Sequence, residues 1–112
     1  YAYRVNAASS YYPFCQTQKI AKRPFVPHLV HLAAEDRFDE DFTGCEEKNS
    51  RSSNNLVIRV YDGAQHGFDR EHYAGTKALK GRTLMGSPYL VEYDESSSKK
   101  SIEKLLEFFE QY

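Results

Sequence analysis

One stretch, residues 56–69 with the sequence LVIRVYDGAQHGFD, constrains this chain more than any other. Its first six residues are aliphatic, β-branched and aromatic around a single arginine, the composition of a strand. Its continuation breaks that run with Gly63 and Gly67, one on each side of His66. A strand therefore hands a histidine to a loop. Loops at strand ends are where scaffolds place reacting groups. Glycines nearby let the backbone bend sharply and leave the imidazole uncrowded. The pattern points to a general base.

The remaining segments read as the partners of that strand. Residues 4–12, RVNAASSYY, form a predicted strand of small side chains closed by Pro13, and small residues in a strand suit close packing in a parallel sheet. Residues 16–27 turn polar, then basic, and carry Pro24 and Pro27, as an exposed connection does. Residues 27–33, PHLVHLA, make a further strand, followed by Asp36, Asp39, Glu40 and Asp41. Acids at that density are ordinarily a solvated loop. Asp36 is distinguished by lying just past the strand, where loops at the carboxyl edge of a parallel sheet carry chemistry, and Asp39 is the second candidate. Residues 42–48 read as a short helix. After the sequence Phe68-Asp69-Arg70-Glu71-His72-Tyr73, the chain reads as a Gly- and Lys-rich loop through Gly75, Gly81 and Gly86, either bordering the histidine or plain surface. Asp94 is placed to cap a last helix whose Ile102, Leu105, Leu106 and Phe109 recur at helical spacing, a stripe expected to lie on the sheet.

With 112 residues, 40% of them hydrophobic, the chain suits at most one small globular domain. A net charge of −1 with acids and bases well mixed carries no footprint for nucleic acid. No apolar run approaches the roughly 20 residues of a membrane span. The first ten residues lack the charged-then-apolar order of a signal peptide. A small-molecule partner is expected, with neither nucleic acid nor membrane. A metal site built from His28, His31, His66 and a carboxylate is opposed by strand periodicity, which puts His28 and His31 on opposite faces. Neither metal nor cofactor is called for.

The phrase Tyr61-Asp62-Gly63-Ala64-Gln65-His66-Gly67-Phe68-Asp69 resembles the histidine motif of the dienelactone hydrolase family, α/β-hydrolases with Tyr-x-Gly-Ala-x-His-x-Phe after their last strand. Val5, Ala7, Tyr12, Pro13 and Cys15 match the family's Val-x-Ala-x-x-x-x-Tyr-Pro-x-Cys. Pro27, Leu29 and Asp36 match its Pro-x-Leu-x-x-x-Gly-x-x-Asp, with Ala33 in place of the glycine and no proline soon after the acid. Residues 88–94, PYLVEYD, resemble its Val-x-Tyr-Asp approach to the last helix. The resemblance implies an α/β fold: the C-terminal part of a doubly wound α/β-hydrolase sheet, about three parallel strands with flanking helices and a C-terminal amphipathic helix, as one partial domain over residues 1–112.

It also implies a carboxylic ester hydrolase acting on ester, lactone or related acyl bonds by a nucleophile–His–Asp triad. Asp36 and His66 would be the acid and the histidine, in the chain order of α/β-hydrolases. No Gly-x-Ser-x-Gly or Gly-x-Cys-x-Gly occurs in these residues. The nucleophile, cysteine or serine, is therefore expected upstream, and the chain is expected to be the C-terminal half of a longer hydrolase. Its open strand edge calls for a partner, the missing half or a second copy. Cys15 and Cys45 each follow a strand-end loop and read either as a disulfide or as two buried thiols. A cytoplasmic location is favoured, and a disulfide would point instead to export. The competing reading is a non-catalytic interaction module that keeps the half-fold. Retention of both Asp36 and His66 favours the hydrolase, because a binding module needs neither.

Overall fold

The computed structural model describes residues 5–12, 26–36, 56–74, 78–82 and 88–112. The expectations placed on Cys15, Asp39, Cys45, the helix at 42–48, the connection at 16–25 and the glycines Gly75 and Gly86 lie outside those residues.

Strands β1 (Ala8–Tyr11), β2 (His28–Ala33) and β3 (Leu56–Tyr61) form a parallel sheet in the order β1–β2–β3. Strand β2 is central and buried along all six residues, which is why HLVHLA shows no polar alternation. Register sorts the side chains by face. On one face Val30 and Leu32 meet Leu56, with Ile58 and Val60 packed against them. On the other, Ala33 and Tyr61 meet Ala64 and Phe68, and Tyr11 and Tyr12 pack on that group. Strand β1 is shorter than the expected 4–12, because Val5 is exposed and pairing begins only at Ala8.

Two expectations are corrected. The Gly- and Lys-rich segment read as a loop after Tyr73 contains β4 (Ala78–Arg82), which pairs antiparallel with β5 (Pro88–Val91) in a second, two-stranded sheet. Its ALKGR sequence lacks the apolar alternation that betrays a strand, and its register slips between Leu79 and Gly81, as glycine in a strand often signals.

The second correction concerns helix α1 (Glu95–Glu110). Its buried residues are Ser97, Ser98, Ser101 and Phe108, whereas Ile102, Leu106 and Phe109 are 49%, 61% and 41% exposed. The apolar stripe is not the face laid on the sheet. A serine face lets the helix approach closely enough for the Tyr11 hydroxyl to donate to Ser101 Oγ at 2.9 Å. Ser101 in turn donates to the Ser98 carbonyl at 2.7 Å, so neither hydroxyl is buried unpaired. Asp94 does stand at the N-cap, but its carboxylate receives the Ser97 hydroxyl at 2.6 Å rather than a backbone N–H. Of the expected flanking helices, the described residues show α1 and a single 3-10 turn, Glu71–Tyr73.

Candidate active site

Adjacent parallel strands end at the same edge of a sheet, so β2 and β3 deliver their following loops side by side. Beyond β2 the chain turns tightly, with the Asp36 N–H donating to the Ala33 carbonyl at 3.2 Å. Beyond β3 it turns through Gly63 at φ 74°. Two backbone bonds fasten these turns together: Ala34 N–H to the Tyr61 carbonyl at 3.0 Å, and Glu35 N–H to the Ala64 carbonyl at 2.9 Å. On its other side the histidine loop is held by the lead-in to α1. Glu92 N–H donates to the His66 carbonyl and Asp94 N–H to the Phe68 carbonyl, both at 3.1 Å. Gly67, at φ 77°, leaves no room for a side chain: a Cβ would lie 2.9 Å from both the Tyr73 ring and Val91 Cγ1.

Between the clamped loops, His66 Nδ1 and Asp36 Oδ2 lie 2.7 Å apart. The carboxylate is deep, its side chain 3% exposed, and the imidazole is shallower at 22%. An aspartate accepting from Nδ1–H selects the tautomer whose basic lone pair sits on Nε2, at the opposite edge of the ring. Ala33 is buried against Tyr61, Ala64 and Phe68, where a methyl group fills space.

Two residues that sequence reasoning did not assign to the site complete its wall. The Tyr12 ring lies over the His66 ring, centroids 4.5 Å apart and planes tilted by 44°. Its hydroxyl donates to Asp69 Oδ1. Burial first, and then the Asp69 carboxylate, push that hydroxyl far above the ordinary tyrosine range, so it stays protonated. The Tyr-Tyr-Pro phrase closing the first strand was visible, but nothing in it says that the second ring turns back across the histidine.

Behind this wall His31 is fully buried, stacked on Tyr11 at 4.3 Å and bonded through Nδ1 to the Tyr61 hydroxyl at 2.8 Å. Its Nε2 has no hydrogen-bond partner among the described residues. Burial, opposed by the Asp69 charge, lowers its pKa to about 4. Burial also pushes Tyr61 up to about 12. His28, on the opposite face of β2, bonds Ser10 Oγ instead. His28, His31 and His66 therefore have three separate partners, and no group of three or more candidate ligands gathers among the described residues.

No curated protein and no solved structure matches the chain. A family model described as "Dienelactone hydrolase family" matches residues 1–112.

Proposed function

Because the chain belongs to the dienelactone hydrolase family, hydrolases of the α/β fold, we propose that it cleaves an ester, lactone or related acyl bond with His66 as general base and Asp36 as the acid that orients it. The observation that carries this reading is the 2.7 Å bond between Asp36 and His66 across two clamped strand-end loops. In the reaction, His66 Nε2 takes the proton of the attacking nucleophile as that group adds to the acyl carbon. Asp36 stabilises the imidazolium, which returns the proton to the departing alcohol. Water then attacks the acyl intermediate as His66 accepts its proton, the bond between the acyl carbon and the nucleophile breaks, the imidazolium returns the proton to the nucleophile, and the acid is released.

These residues contain no nucleophile elbow, so the nucleophile is assigned to a segment outside them. A further polypeptide segment would also pair with the edge of β1 that no other strand occupies among the described residues.

The test is hydrolysis of nitrophenyl acetate by the full-length parent protein, by its His66→Ala variant, and by the 112-residue chain alone. The expected result is an active parent, a loss of about 10²–10⁴-fold in the variant, and an inactive 112-residue chain. An inactive parent, or a variant as active as wild type, would favour the interaction module.

A further inference from the structure

Tyr12 combines three features that its position at the end of β1 does not require. Its backbone is left-handed, at φ 55°, a conformation that bulky side chains keep only where the surroundings over-determine it. Its N–H nevertheless continues the ladder, donating to the His31 carbonyl at 3.0 Å. The left-handed turn carries the ring off the strand and against His66. The hydroxyl then ends on Asp69, three residues beyond His66 on the same loop. Phe68 meets the Tyr12 ring edge-on, at 5.6 Å and 86°.

We propose that Tyr12 and Asp69 form a clamp that fixes the plane of the His66 imidazole, making them a positioning pair that acts through the histidine. The terminal torsion of a histidine side chain is broad. The hydrogen bond at Nδ1 holds one edge of the ring, and rotation about that bond is the motion a neighbouring ring opposes. The Tyr12 ring, packed on the imidazole with its plane tilted by 44°, opposes that rotation, and the bond to Asp69 keeps that ring in place. Proton transfer at Nε2 is sensitive to such motion, because it needs alignment as well as reach. The inference rests on the reading of His66 as general base.

Its test uses the full-length parent with nitrophenyl acetate, measuring kcat and KM separately and following thermal unfolding of each variant. Tyr12→Phe and Asp69→Ala should each lower kcat about tenfold with KM unchanged. Because both remove the same bond, the double variant should lose no more than the worse single one. Asp69→Asn, which keeps an acceptor for the hydroxyl, should recover most of the rate. Tyr12→Leu should fall further, and should it fail to fold, Tyr12→Phe carries the test alone. Wild-type kcat in Tyr12→Phe and Asp69→Ala, beside an inactive His66→Ala, overturns the clamp and leaves the general base standing. Losses that multiply in the double variant also overturn it. A fully active His66→Ala removes the underlying reading and the clamp with it.

Discussion

Single residues in the histidine loop differ sharply in how replaceable they are. Gly63 and Gly67 both have left-handed backbones, so alanine at either costs about 1 kcal/mol or more in conformation. Space separates them. Nothing lies within 4 Å of a Cβ at Gly63, whereas one at Gly67 meets Tyr73 and Val91 at 2.9 Å. Gly67→Ala is expected to destabilise the protein by about 2–4 kcal/mol, adding overpacking to strain, while Gly63→Ala stays near the lower figure. Denaturant titration of the two variants checks this, and equal losses would show that the Tyr73 ring simply moves aside. Because Gly67 adjoins His66, the same substitution should also depress ester hydrolysis, and Gly63→Ala should spare it.

At the scale of elements, helix α1 packs by closeness rather than by apolar area. Ser101 is fully buried and bonded to both Tyr11 and Ser98. Ser101→Leu should therefore lower stability by about 1–3 kcal/mol through overpacking and the loss of the Tyr11 bond. Ser96→Leu, on the exposed side of the same helix, should change it by no more than about 0.5 kcal/mol, and thermal melts of the pair decide the matter. This helix also marks where the sequence stops being legible. The existence of α1 and its start at Asp94 could be read from capping and periodicity, yet the buried face could not. Periodicity locates an apolar stripe without saying which neighbour is near, and four serines in the first two turns look like surface. The parallel strands were legible because β2 and β3 are dense in β-branched and aliphatic residues. Strands β4 and β5 were not, because their pairing depends on a partner rather than on their own composition. For the site, the order of Asp36 and His66 after neighbouring strands was legible. The turn at Tyr12 was not, since a left-handed tyrosine is set by tertiary contacts and leaves no local signal.

At the scale of the whole molecule, the central strand carries an acid sensitivity. His31 is neutral when folded, because burial lowers its pKa to about 4, against an ordinary 6.5 in the unfolded chain. The unfolded state thus binds the extra proton first. Stability is fully present above pH 6.5, falls as pH drops from 6.5 towards 4, and changes no further from this group below that. The whole shift corresponds to a loss on the order of 3 kcal/mol. His28, whose pKa is also lowered by burial, adds in the same direction. Denaturation at pH 7 and at pH 5 should show the loss in wild type and a flatter profile in His31→Phe, and parallel profiles would relieve His31 of the role. The long reach of the site's contacts has another consequence, one of timing. Tyr12 and Asp69 are 57 residues apart, and Tyr11 and Ser101 are 90 apart. The histidine loop receives its last backbone anchors from Glu92 and Asp94. A chain emerging from the ribosome N-terminus first holds Asp36 and His66 well before it holds those anchors. The backbone anchors of the histidine loop therefore cannot all form until residues 92 and 94 have been synthesised.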